Sequence, residues 1–160
     1  MTNAKQFDAV DAQILVTLDD DPNASITQIA KTVGLSRNTV HARLQRLEKD
    51  GALEGFSLRV SPRSLGLPMI AFVSLTIRQR EEDVAVEGLT RIPEIVEVHF
   101  TTGDADLFAR VVARDTQDLH RVMGLILNTP GVGRSSTRIS LGPAMDFRVR
   151  PLLERTAHED

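Results

Sequence analysis

The sequence predicts an α+β protein in two parts: a three-helix head, then a four-stranded antiparallel sheet with two helices on one face. Three observations lead there. Apolar residues recur with a helical period up to about residue 50. A proline-, serine- and glycine-containing stretch, 61–67, then interrupts the chain. Beyond it, strand-like and helix-like runs follow in the order β-α-β-β-α-β, the split unit of the ferredoxin-like sandwich. The expected domains are 1–60, a linker at 61–67, and 68–160.

Val10, Ile14, Leu15 and Leu18 form an apolar stripe that predicts a first helix over 8–20, with Asp8 and Asp11 at its positive end. Asp21-Pro22-Asn23 breaks it. Ile26, Ile29, Ala30 and Val33 share one face of a second helix of about two turns. Gly34 stops that helix by taking a left-handed backbone without a Cβ penalty. Ser36 is placed as the N-cap of a third helix, whose buried side carries Val40, Leu44 and Leu47. Its other side shows Asn38, His41, Ala42, Gln45 and Lys49, flanked by Arg37, Thr39, Arg43 and Arg46, and Gly51 closes it. Two helices on a tight corner, the second one basic, have the plan of a helix-turn-helix that can enter a DNA major groove.

Charge placement favours that use over a merely solvated helix. From Lys31 to Lys49 five basic residues stand against Glu48 alone, whereas Met1 to Ala30 carries Lys5 against five aspartates. Phosphate attraction supplies most non-specific affinity for DNA, so a local basic face matters more than the formal charge of −3 over 160 residues. The acidic side of the first helix is expected to face away from DNA. Direct-contact candidates are Ser36, Arg37, Asn38, Thr39, His41 and Gln45. Arg43 and Arg46 either hold a phosphate or bridge to Glu48 or Asp50. Absence of cysteine excludes disulfides and thiolate chemistry. His41 has no partner at ligand spacing, so no metal is expected. No apolar signal core or membrane-length run occurs, which fits a cytoplasmic protein with no membrane partner. With no Trp or Tyr and six Phe, a stacking platform for single strands is not expected.

In the second part, Leu53, Phe56, Leu58 and Val60 suggest an extended hinge over 53–60, which needs a second copy to pair with. A buried strand is expected over 69–77, and a helix over 81–91 with Val84, Leu89 and Ile92 inward. Val96, Val98 and Phe100 alternate with Glu97, His99 and Thr101 as in a half-buried strand. His99 falls on its polar face, without a nucleophile motif beside it. Gly103-Asp104-Ala105-Asp106 reads as a hairpin turn before a strand over 107–113. Asp115 or Thr116 caps a second helix with Leu119, Val122, Met123 and Ile126 inward, and the last strand lies within 132–141. A short strand around 147–149 and a polar tail end the chain. The uncovered sheet face needs a partner or a polar surface, which points to oligomers.

In order and spacing, Asp11-Ala12-Gln13-Ile14-Leu15, Ile29-Ala30 through Val33-Gly34-Leu35-Ser36, and Val40 through Glu48 resemble the Lrp/AsnC transcriptional regulators, or feast/famine regulatory proteins. Gly51 with Leu53, Gly103-Asp104-Ala105-Asp106 and Pro130-Gly131-Val132 complete the resemblance. It implies a head for double-stranded DNA, a hinge strand, and an effector domain forming homodimers and higher assemblies, commonly octamers. It also implies a small effector, usually an amino acid, bound where neighbouring dimers meet, and no other cofactor. Asp104 or Asp106 would then accept from the ammonium, while amides around Gly103 and the hydroxyls of Ser135, Ser136 and Thr137 would donate to the carboxylate. Residues 123–127 shape a side-chain pocket or simply pack the core. Arg37 stands where the family often has proline, and Leu107 where it often has an aromatic. Some haem-biosynthesis decarboxylases resemble the same two-domain plan, but an enzyme need not keep a basic DNA-reading helix. An effector-independent architectural protein is the other alternative.

Overall fold

The computed structural model describes residues 7–53 and 60–158. In chain order its elements are α1 (Ala9–Asp20), α2 (Ile26–Val33), α3 (Arg37–Lys49), β1 (Met69–Ile77), α4 (Glu82–Thr90), β2 (Ile95–Phe100), β3 (Leu107–Ala113), α5 (Thr116–Leu127), β4 (Val132–Ile139) and α6 (Arg150–Ala157). They form two compact units. One holds α1–α3 together with residues 145–158, and the other holds residues 60–144. The expected hinge strand falls largely on residues 54–59, outside the described residues. The expected linker contains a 3-10 turn at Pro62–Leu65.

In the helical unit, side chains close the helix ends that backbone bonding leaves open. Ser25 and Gln28 form a reciprocal capping box on α2, and Gly34 ends that helix at φ +70°. The Ser36 hydroxyl then accepts the Thr39 amide at 3.1 Å to start α3. Ile14, Ile29, Ala30 and Val40 are buried where the three helices meet, with Val10, Leu18, Val33, Leu35 and Leu44 around them. Burying an Ile or Val side chain contributes roughly 1.5–3 kcal/mol each, so this small cluster holds the corner. The tail differs from expectation. Residues 147–149 form no strand, and the chain instead enters α6, which packs on α1. Arg150 bonds Asp19 at 3.3 Å, Asp20, and Glu154 one turn along its own helix at 2.7 Å. The last residues therefore group with the helical unit rather than with the second domain, expected at 68–160.

The second unit has the strand order β2-β3-β1-β4, all pairs antiparallel. Ala71, Val73 and Leu75 of β1 and Leu107, Ala109 and Val111 of β3 point to one face. They meet Ala85 and Leu89 of α4 and Leu119, Val122 and Ile126 of α5. Three expected burials differ. Val84 is exposed and Ala85 is buried, because positions 85, 89 and 92 make the continuous stripe. Val96 is exposed because Ile95 pairs with Val111 and Glu97 with Arg110, leaving Val96 as the extra residue of a bulge. Phe100, at the strand's end, is 71% exposed.

Asp118, in the first turn of α5, accepts from the Arg114 amide at 3.0 Å, from the Arg114 guanidinium at 3.2 Å and from Arg121 at 2.8 Å. The Arg114 guanidinium first, then its amide and Arg121, hold this carboxyl well below its ordinary value of 3.8. A depressed folded pKa means the stabilisation is complete above 3.8 and is lost as pH falls toward the folded value. Between about pH 5 and pH 2 the Asp118→Asn variant should therefore lose less of its urea midpoint than the parent. Parallel pH profiles for the two proteins would refute this.

Candidate functional site

The α3 surface is built from both sides. Outward, Ser36, Arg37, Asn38, Thr39, His41 and Gln45 are all exposed, as are Ala42 and Lys49. Inward, Arg43 and Arg46 turn toward α1. Arg43 donates to Asp8 at 2.7 and 2.8 Å and to Asp11 at 2.8 Å, while Arg46 bonds the other Asp11 oxygen. Their partners are thus Asp8 and Asp11, not Glu48 or Asp50. The start of α1 thus faces α3 through Asp8 and Asp11. Two arginines need nearby carboxylates once their stems are packed. The aspartates are in turn locked by their own capping box, Asp11 amide to Asp8 at 2.8 Å and Asp8 amide to Asp11 at 3.1 Å. Burial works to raise the Asp8 carboxyl, but hydrogen bonds from Arg43 and the Asp11 amide outweigh it and leave it below its ordinary value. Asp8 first, then Asp11, raise Arg43 in return. Asn38, Thr39, Ala42, Arg43 and Arg46 border one shallow hollow, so the inner arginines still edge the outward surface.

The second unit carries an open groove of about 600 Å³ on the sheet face away from its helices. Ser74 and Thr76 of β1 and Phe108 of β3 form its floor. Ser135, Ser136, Arg134 and Arg138 of β4 form one wall, and Thr101, Thr102, Asp104 and Ala105 the other. Leu75 pairs with Ser135 but Ile77 with Val132, so Gly133 and Arg134 together oppose Thr76. The Arg134 amide donates to the Thr76 hydroxyl at 2.8 Å. A Cβ on Gly133 would lie 2.9 Å from that same oxygen, so glycine lets the bulge close.

The expected effector residues separate. Asp104 and Ser136 come together in the groove, whereas Ser135 borders it but pairs with Leu75, on the helix side of the sheet. Gly103 supplies the turn at φ +105° without lining it. Asp106 is engaged elsewhere: its carboxylate accepts the Ile77 amide at 2.7 Å, its amide donates to Leu75 at 2.9 Å, and its carbonyl accepts the Thr101 amide at 2.9 Å. The Thr137 hydroxyl lies on the helix side, 3.5 Å from Met123 sulfur. His99 sits on the open face, 2.8 Å from Glu97. Arg134, Arg138, Ser74 and Thr76 were not anticipated. The signal was the period-two run Arg134, Ser136, Arg138, which puts all three on one face of a strand.

A winged helix-turn-helix DNA-binding model matches residues 7–54, and the Lrp/AsnC ligand binding domain matches residues 70–149. The chain belongs to the Lrp/AsnC family. The regulator is similar to the HTH-type transcriptional regulator FL11 of Pyrococcus horikoshii, 32% identical over 84% of this chain and 89% of FL11. Its fold matches E. coli AsnC with a TM-score of 0.83 at 25% identity, over 91% of this chain and 99% of that one. It also matches the M. tuberculosis feast or famine regulatory protein Rv3291c, complexed with L-methionine, with a TM-score of 0.79 at 27% identity, over 89% and 97% of the two chains. It is thus a transcriptional regulator with a DNA-binding helix-turn-helix and a ligand-binding domain, which favours that reading over the decarboxylase and architectural alternatives. No helix among the described residues is long and apolar enough to cross a membrane.

Proposed function

We propose that the regulator reads double-stranded DNA in the cytoplasm through the outward face of α3 and responds to an amino acid bound in the Asp104 groove. The observation that carries this is the division of α3: Arg37, Asn38, His41 and Gln45 face out, while Arg43 and Arg46 are held by Asp8 and Asp11. Ser36 and Thr39 bond each other at 2.8 Å at the helix start, where amides and hydroxyls meet a phosphate. Arg43 and Arg46 fix the pitch of α3 against α1 and offer their outer edges to the backbone. Asp104 accepts from the effector's ammonium, with the Ser136 hydroxyl as a donor beside it and Gly103 shaping the turn. The protein performs no catalysis in this reading. The polar open sheet face and the groove suit a homodimer and larger assemblies, whose paired heads address half-sites about 34 Å apart or a multiple of that. The effector shifts affinity by binding one assembly better than another.

The test is a mobility-shift titration at fixed salt. Arg37→Ala and Gln45→Ala should each weaken operator binding by about tenfold or more, as loss of a good base contact does, with unchanged mass by light scattering. Parent-like binding by both variants would remove α3 from the interface.

A further inference from the structure

The groove has a charge pattern that a neutral amino acid does not answer. Two guanidinium groups, Arg134 and Arg138, share it with one carboxylate, Asp104. Its other named walls and floor are largely hydroxyls, with Phe108 the aromatic exception. An aliphatic effector would place its side chain against Ser74, Thr76 and Ser136 and would leave one guanidinium without a counter-charge. Building on the effector site proposed above, we infer that the ligand is an acidic amino acid. Arg134 and Arg138 take its two carboxylates, and Asp104 takes its ammonium.

The backbone supports this placement. Arg134 and Arg138 are four residues apart on one strand, so their Cα atoms lie about 13 Å apart, less the kink of the bulge. Both arginines line the groove, and at that spacing two long side chains can reach the two carboxylates of one glutamate or aspartate. The bulge at Gly133 turns Arg134 into the groove, and it closes only because position 133 lacks a Cβ. Arg138 leans across the strand pair to the Ser74 hydroxyl at 3.5 Å, which directs it over the same floor. Arginine forks fit carboxylates two bonds at a time, so they select for charge and not only for size. The charges also balance: two positive groups and one negative accept a ligand of net charge −1, the state of both acidic amino acids near neutral pH.

Calorimetric titration of the full-length assembled regulator with L-glutamate, L-aspartate, L-glutamine and L-methionine tests this. Glutamate or aspartate should bind at least about tenfold more tightly than glutamine or methionine, since a charge-assisted pair is lost with each neutral ligand. Arg134→Met and Arg138→Met keep the apolar stem at exposed positions, and each should lower acidic-ligand affinity by about tenfold or more. Methionine binding as tightly as glutamate, or both variants matching the parent for acidic ligands, overturns the inference while leaving an amino-acid effector in place. If none of the four amino acids binds, the inference is overturned, and a thermal-shift screen of the remaining amino acids decides whether the effector reading stands.

Discussion

Replacing Asp11 with alanine should destabilise the helical unit by about 2–4 kcal/mol, a large loss for one side chain in so small a core. The Asp11 carboxylate is fully buried and accepts from Arg43, Arg46 and the Asp8 amide. Without it, two neighbouring guanidinium groups of α3 lie against the start of α1 with Asp8 alone to answer them, and half of the α1 capping box is gone. Breaking a buried pair by removing one partner costs about 3–5 kcal/mol. Here both arginine side chains are about a quarter exposed, so they can turn toward water, which places the effect toward the lower end. Because the chain has two units, the readout is local native-state hydrogen exchange rather than one global melt. The Val40 amide, bonded to Ser36 at 3.1 Å, should exchange about 30- to 800-fold faster in Asp11→Ala. A change below about threefold would mean that the cluster is merely a surface decoration.

Gly131→Ala should lower the melting temperature of the second unit by more than about 10 °C. Gly131 turns the chain from α5 into β4 at φ +85°, and its carbonyl accepts the Arg78 amide at 2.8 Å. A Cβ there would lie 2.7 Å from the Glu81 carbonyl oxygen and 3.0 Å from the Ala85 Cβ. Left-handed backbone alone costs an alanine about 1–2 kcal/mol. The overlap with backbone adds to it, because a carbonyl cannot swing aside as a flexible side chain would. Gly34→Ala separates the two contributions. Gly34 is also left-handed, at φ +70°, but no atom lies within 4 Å of an added Cβ, so its loss should stay near 1 kcal/mol. Equal losses at the two glycines would show that the contact at Glu81 relaxes freely.

What was legible in the chain was what depends on neighbours in sequence. Ser25, Gly34 and Ser36 act within one turn of themselves, and their placing as caps and corner follows from spacing alone. The strands β1 and β3 were legible because apolar runs buried on the helix side leave little other choice. Val84 illustrates the limit. It is more apolar than Ala85, yet the spacing of 85, 89 and 92 decides which face meets the sheet, and an alanine lets α4 approach closely. The bulge at Val96 depends on how β3 pairs, which no local pattern announces. In the candidate site, Asp104 and Asp106 are chemically identical. Only the end of β1 at Ile77 separates them, where the Asp106 carboxylate takes the backbone amide. For Arg43 and Arg46 the sequence suggests only local partners, Glu48 or Asp50, because the actual ones, Asp8 and Asp11, are 32 to 35 residues away. Helix α6 escaped notice for the same reason: its contacts lie on α1, at the other end of the chain.

That last contact sets an order of events during synthesis. Asp19 and Arg150 are 131 positions apart, and everything from 60 to 144 belongs to the other unit. At ribosomal speeds α3 is translated about 5–20 s before α6 is complete. A nascent chain can therefore form its helical corner early, but α1 acquires its last neighbour only after the sensing portion has been made. The regulator's DNA-reading part reaches its final packing only on molecules that already carry their receptor for the signal.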